Sequence, residues 1–264
     1  MESLTPQIDQ VSMVNQFGFG WIYSSKSSNE KILLFFGNRH LTRSKLAEIF
    51  PEKKHIYLKQ THSNLVINGD QHADIETASV IGDALFSRNG QNLIAVQTAD
   101  CLPLLFVDEV IDVFGFIHAG WRGVEKQIVP HFIQSLKKLG FEAGCFQVGP
   151  HITQKNFEVD IDVARQILAT VGLEHVDVPG QNALERQAIY KKGNKIHIDL
   201  VEILKMQIDL LDASSFDLKL SKKVDVFDDS SYWSFRRDKQ SVGRNLSFVT
   251  KLSELEIEFK LTLF

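Results

Sequence analysis

A chain of 264 residues, 44% hydrophobic and 23% charged, has the composition of a globular protein with a substantial core and the length for one large α/β domain or two small ones. Its net charge of −4 excludes a bulk electrostatic attraction to nucleic acid or anionic membranes and leaves only a local basic patch for such a partner. Two cysteines, Cys101 and Cys145, are too few for a disulfide-built secreted scaffold.

The opening segment MESLTPQIDQVSM has neither a basic start nor an apolar core, so no secretory leader is expected. The longest apolar runs, such as Ile32–Phe36 and Leu102–Val107, fall far short of a bilayer span. A cytoplasmic protein is the expectation. No internal repeat, low-complexity tract or Pro/Gly/Ser-rich linker divides the chain, which predicts a single domain over residues 1–264.

Phe17–Tyr23 is separated from the strand candidate Ile32–Phe36 by a polar loop, Ser24–Glu30. Leu41, Leu46, Ala47 and Phe50 fall close to helical spacing, and Pro51 stops that helix. His55–Leu58 and Leu65–Ile67 read as short strands on either side of KQTHS (Lys59–Ser63). Leu93–Thr98, Leu104–Val107 and Val113–Ala119 are compact apolar runs that read as strands, the last two joined by the turn-like DEVID (Asp108–Asp112). After Gly123, Val124, Ile128, Phe132, Leu136 and Leu139 repeat at helical spacing up to a glycine stop at Gly140. Pro130 inside that pattern predicts a kink there or a helix that begins near it. Further helices are predicted over Asp162–Val171 and Leu200–Leu211, and a last strand over Leu246–Thr250 after the polar SFRRD (Ser234–Asp238). Helices and strands alternate without a regular βαβ rhythm, which predicts a layered α/β (α+β) fold with mixed sheets flanked by helices.

Three segments concentrate the chemistry: KQTHS, QTADCLP (Gln97–Pro103) and IHAGWRG (Ile117–Gly123). If Val107 faces Asp112 across DEVID, the constant sum of partner numbers in an antiparallel pair sets Cys101 opposite His118, with Cβ atoms about 4.5–5.5 Å apart. That separation suits a thiolate at about 2.3 Å and an imidazole at about 2.0–2.1 Å from one zinc ion. A one-residue slip would put the two side chains on opposite faces, and Pro103 predicts irregular pairing near Cys101. His62, at a strand–loop boundary among polar residues, is the candidate third ligand. One Cys and two His leave a fourth tetrahedral position for water or substrate, as a catalytic zinc site requires and a structural one does not.

The same residues suit another chemistry, with Cys101 a nucleophile, His118 its base and a third group orienting the imidazole. Composition does not separate the two. Each residue also has an ordinary structural reading, the histidines as hydrogen-bonded strand ends and Cys101 as inert packing. AGWRG (Ala119–Gly123) either offers backbone N–H groups to an anion at a helix start or is a tight turn that needs glycine. Arg236 and Arg237 either contact a phosphate or belong to a solvated charged loop.

Together, KQTHS, GDALFS (Gly82–Ser87), TADCLPLLF (Thr98–Phe106), HAGWRG (His118–Gly123), VGPHI (Val148–Ile152) with FEVD (Phe157–Asp160), and SFRRD with Gly243-Arg244 and Ser247-Phe248 resemble the YfiH family. That family is also described as the laccase-domain or polyphenol-oxidase family, and the resemblance runs from about Lys59 to Val249. It implies one α/β domain with zinc, or copper as the alternative, on His62, Cys101 and His118, the same three residues serving catalysis. It further implies phosphorolysis of adenosine, inosine and methylthioadenosine, deamination of adenosine, and, as a further family activity, copper-dependent oxidation of phenols. The expected partners are purine nucleosides and phosphate, not nucleic acid or membrane, for a monomer or small homo-oligomer. Nine histidines without a His-x-His pair argue against a multicopper cluster and for one metal.

Residue chemistry assigns phosphate to Arg122, Arg236 and the glycine-turn amides, and ribose or base to Asp83. Gln60 and Arg43 complete the expected substrate-binding set. The chain departs from the family pattern at Tyr23-Ser24-Ser25, where relatives carry Arg-Gly-Gly, and at Phe35-Phe36-Gly37, where they carry Asn-Leu-Gly. The family arginine falls on Arg43, with Arg39 second. His151 stands where a small residue is common, and Val224 where a cysteine is expected. The metal residues are untouched; the departures bear on substrate preference and raise the alternative of a catalytically idle binding module.

Overall fold

In chain order the strands are β1 (Ile8–Asn15), β2 (Gly18–Ser25), β3 (Glu30–Gly37), β4 (Lys54–Tyr57), β5 (Val66–Asn68), β6 (Ala84–Ser87), β7 (Asn92–Thr98), β8 (Leu102–Asp108), β9 (Phe114–Ala119), β10 (Gly144–Val148), β11 (Glu158–Val159), β12 (Ile189–Lys192), β13 (Lys195–Ile198), β14 (Phe216–Leu220) and β15 (Asn245–Ser253). The helices are α1 (Arg43–Ile49), α2 (Trp121–Glu125), α3 (Ile128–Lys137), α4 (Ile161–Ala169), α5 (Leu200–Leu210) and α6 (Phe235–Asp238). This computed structural model describes residues 8–25, 30–71, 79–173, 188–193, 195–239, 243–253, 255–257 and 260. The leader reading over residues 1–7 and the middle of the Ser24–Glu30 loop lie outside the described residues.

One sheet has the order β1-β2-β3-β15-β7-β4 and a second β14-β10-β8-β9-β6-β5, while β11-β13-β12 form a small third sheet. Both large sheets are mixed, because β4–β7, β10–β14 and β5–β6 pair in parallel and the other neighbours antiparallel. The layered, mixed-sheet fold expected from the sequence is therefore the one observed.

The strands with continuous apolar runs are those covered on both faces. Along β3, Ile32, Leu34 and Phe36 enter the core shared with the second sheet, whereas Leu33 and Phe35 join Leu46 and Ile49 of α1 in a separate core. Phe248 of β15 closes that smaller core, its ring 5.5 Å from both Phe35 and Phe50. The second sheet is covered by α3, whose Phe132 meets Phe86, Phe106 and Phe146. Truncating so central a ring to alanine costs about 3–5 kcal/mol. No helix among the described residues is long and apolar enough to cross a membrane.

One expectation is corrected. The β8–β9 pairing sets Val107 opposite Phe114 and Pro103 opposite His118, two residues away from the assumed register. The turn is longer than DEVID alone suggested: the Asp108 carboxylate accepts from the N–H groups of Asp112 and Val113, and Ile111 takes φ 59. Because side chains repeat every two residues along a strand, the shift of two leaves Cys101 and His118 on one face. The second alternative drawn from Pro130 is the one observed: the helical stretch after Gly123 divides into α2 and α3 at Gln127, which adopts left-handed φ 58, ψ 47, and α3 begins near the proline. Pro130 then falls in the first turn of α3, where its missing N–H has no partner to lose. Gly140 does end the helix, at φ 87, with Phe141 N–H donating to Leu136 O.

Candidate metal centre

The centre is assembled where three strand ends meet. His62 lies in the loop between β4 and β5, Cys101 immediately before β8, and His118 inside β9. Their ligand atoms all lie within 4.8 Å of one another, and this is the one His/Cys/Asp/Glu group of that kind among the described residues. Cys101 Sγ is 3.7 Å from His62 Nε2, and a tetrahedral ion with ordinary zinc bond lengths needs about 3.6 Å between such ligands. His118 is buried, while His62 and Cys101 are half-buried, so the open side of the group faces outward past those two.

A single carboxylate organises two of the three ligands. Asp83 has no solvent exposure, and its Oδ1 accepts from His62 N–H at 3.0 Å and His118 Nδ1–H at 2.8 Å. Its Oδ2 accepts from Thr61 N–H at 3.1 Å, Ser63 N–H at 2.7 Å and Ser63 Oγ–H at 2.6 Å. The three successive amides wrap the KQTHS turn around the carboxylate and hold His62 at φ 58, a conformation uncommon outside glycine. With Nδ1–H given to Asp83, the neutral His118 ring keeps its lone pair on Nε2 for a metal, the usual orientation of a carboxylate-backed ligand. Gln60 ties the same turn to β7, its amide donating to Gln97 O at 2.8 Å and accepting from Gln97 N–H at 3.0 Å.

Gly120 leaves the space. A Cβ on it would lie 2.6 Å from His62 Cδ2 and 2.9 Å from Cys101 Sγ. Its φ of −74 is open to any residue, so the requirement for glycine here is room rather than backbone freedom.

Burial opposes charge on the Cys101 thiol, but the adjacent His118 charge and hydrogen bonds from His118 and His62 outweigh it and bring the thiol down to about 6. Burial likewise opposes the His118 imidazolium, and the Cys101 thiolate with the Asp83 carboxylate pushes it up to about 9. The two form one coupled thiolate–imidazolium pair. Burial also opposes the Asp83 carboxylate, which its hydrogen bonds to His118 and Ser63 nevertheless hold well below the usual range. A soft thiolate, two imidazoles and a cradle that one methyl group would fill together fit a transition-metal ion.

A family model described as multi-copper polyphenol oxidoreductase laccase matches residues 36–251. The chain belongs to this laccase-domain family. Among its relatives, a purine nucleoside phosphorylase of Clostridium acetobutylicum is 28% identical over 200 residues, covering 74% of this chain and 76% of the relative. One from Deinococcus radiodurans is 33% identical over 165 residues, covering 62% and 58%. In fold, the laccase-domain chain matches the crystal structure of YlmD from Geobacillus stearothermophilus with a TM-score of 0.68 at 21% identity, over 92% of this chain and 99% of that one. It matches Bacillus licheniformis YfiH with a TM-score of 0.67 at 18% identity, over 90% and 98%.

In this family member the residues expected to bind substrate occupy different situations. Asp83 is enclosed and its oxygens are taken by five donors from Thr61, His62, Ser63 and His118. Gln60 spends its amide on Gln97. Arg43 joins the cluster through the same residue, donating to Gln97 Oε1 at 2.5 Å with its guanidinium 4.1 Å above the Tyr57 ring. Arg39, the second choice, lies 4.2 Å over Trp233, and its Nε has no hydrogen-bond partner among the described residues. Arg122 is exposed and stacks on Trp121. Arg236 donates from Nη1 to the carbonyls of Asn156 and Glu158, both at 3.0 Å. SFRRD, read as a polar segment, forms α6, capped by the Ser234 hydroxyl. Asp100, Ser234 and the steric part of Gly120 were not singled out; adjacency of Asp100 to Cys101 was the one available signal.

Proposed function

We propose that this chain is a zinc-dependent purine nucleoside phosphorylase acting on adenosine, inosine and methylthioadenosine, with adenosine deaminase activity. The observation that carries the reading is the convergence of His62, Cys101 and an Asp83-backed His118 on a space kept open by Gly120. The relatives named purine nucleoside phosphorylase supply the reaction class. The reading takes residues 1–264 as one cytoplasmic domain, monomeric or in a small homo-oligomer.

Bound by the three ligands, the metal supplies a Lewis acid that polarises an oxygen or nitrogen of substrate or water. The protein's own residues do the rest. In phosphorolysis a phosphate oxygen bonds to the ribose carbon as the glycosidic bond breaks, and the bond's electron pair leaves with the base. The guanidiniums of Arg236 and Arg122 and the amides of the Ala119–Gly123 turn are the groups assigned to the phosphate, arginine being suited to paired hydrogen bonds with its oxygens. In deamination water adds at the amino-bearing purine carbon and ammonia departs.

Inosine and phosphate given to zinc-replete protein are expected to yield hypoxanthine and ribose 1-phosphate. Absence of base release with phosphate present removes the phosphorylase reading, and absence of inosine from adenosine removes the deaminase one.

One observation favours a second reading. Asp83, His118 and Cys101 follow the order orienting group, base and nucleophile, the arrangement of a cysteine hydrolase. Elemental analysis of protein purified without chelator separates the two. Stoichiometric zinc that is lost in Cys101→Ala supports the metalloenzyme, whereas metal-free protein trapped at Cys101 by an alkylating substrate analogue supports the hydrolase.

A further inference from the structure

We propose that Asp100 is a positioning residue whose carboxylate couples the Ser234–Arg236 segment to the metal ligand Cys101. The proposal rests on the metal-centre reading above and adds to it a physical link between the thiolate and an arginine assigned to phosphate.

Asp100 directly precedes Cys101 and holds φ 89, a backbone state that strains most L-residues and that aspartate tolerates only in part. Three contacts maintain it. The Asp100 carbonyl accepts from Ile152 N–H at 2.9 Å. Oδ1 accepts from Ser234 Oγ–H at 2.6 Å, and Oδ2 accepts from Arg236 N–H at 2.7 Å. Ser234 is itself fully buried and caps α6 by accepting from Arg237 N–H at 3.2 Å. The other end of the link is fixed as well, because the Arg236 guanidinium is anchored on the carbonyls of Asn156 and Glu158.

If this position required only a turn, glycine would occupy it without strain. What aspartate adds is a two-pronged acceptor facing one helical turn, so that Cys101 and Arg236 cannot move independently. Coupling of this kind is reciprocal: an ion held by Cys101 restrains Arg236, and an anion drawing on Arg236 shifts Cys101.

The test uses the full chain loaded with Co2+ and reads the thiolate-to-cobalt charge-transfer band and the rate of cobalt release to a chelator. Wild type is expected to show the band and to alter it when inorganic phosphate is added. Asp100→Gly, which relaxes the backbone but deletes the carboxylate, is expected to shift the band, lose its response to phosphate and release cobalt about tenfold faster or more. Asp100→Asn is expected to restore slow release, since its amide oxygen accepts from Arg236 N–H and its NH2 group donates to Ser234 Oγ. A wild-type band, phosphate response and release rate in Asp100→Gly would overturn the coupling. If that variant does not fold, Ser234→Ala, which removes one prong together with the α6 cap and keeps Asp100 in place, decides by the same readings. Failure of wild type to bind cobalt would instead overturn the metal-centre reading on which the proposal stands.

Discussion

Replacing Asp83 by asparagine removes one charge and turns one of two acceptor atoms into a donor. With the new NH2 group in the Oδ2 position, the N–H groups of Thr61 and Ser63 lose their acceptor. With it in the Oδ1 position, His62 N–H is left unpaired and His118 must accept at Nδ1, which puts its proton on Nε2 and blocks the metal. Either orientation strands one or two half-buried donors. At about 1–3 kcal/mol for each group left unsatisfied, Asp83→Asn should cost roughly 1–6 kcal/mol of stability. Loss of a carboxylate behind a ligand histidine should weaken metal binding by about 10–100-fold. Urea denaturation of the metal-free protein measures the first effect, and competition with a chromogenic chelator measures the second. Unchanged affinity and an unchanged denaturation midpoint in Asp83→Asn would refute the organising role assigned to this carboxylate.

Gly120→Ala places a methyl group against His62 and Cys101 without straining the backbone, so metal content should fall by about tenfold or more while the melting temperature of the metal-free protein changes little; elemental analysis and thermal denaturation check the pair. Metal uptake should weaken as pH falls, because the ion competes with protons. Cys101 and His118 titrate as one coupled pair, the thiol brought down to about 6 and the imidazole pushed up to about 9, so binding the ion expels protons from that pair and affinity falls as pH drops through this range, more steeply once the thiol is protonated as well. Calorimetry in buffers of different ionisation enthalpy counts those protons. Burial holds the His151 imidazole below its ordinary 6.5, so under that pH the unfolded chain binds the extra proton and stability falls as pH drops. His151→Gln should flatten the urea midpoint between pH 7 and about 5 relative to wild type, and an identical pH dependence in both proteins would rule the histidine out as the source.

Much of the architecture was legible in local patterns. Strands such as Ile32–Phe36 and Leu93–Thr98, and helices such as Leu200–Leu211, announce themselves because burial on defined faces constrains residue type at each step along the element. Pro130 signalled that a helix begins near it, but the left-handed turn at Gln127 was not legible, since that conformation is chosen by how α2 and α3 pack, not by the residue itself. The outer strands β1 and β14 were missed for a related reason: at a sheet edge much of the side-chain surface stays in water and carries little apolar signal.

The candidate site divides along the same line. The identities of His62, Cys101 and His118, and the motifs around them, are properties of the chain itself, because a metal selects nitrogen and sulfur donors by chemical type. How they meet is decided only in three dimensions. No local pattern states that one carboxylate 20 residues beyond Ser63 gathers the amides of Thr61, His62 and Ser63 together with the His118 ring, or that Ser234 reaches back to Asp100. Hydrogen bonds between distant segments depend on register and packing, quantities that arise when the whole sheet closes, and so the chemistry was written in the sequence while its orientation came from the fold.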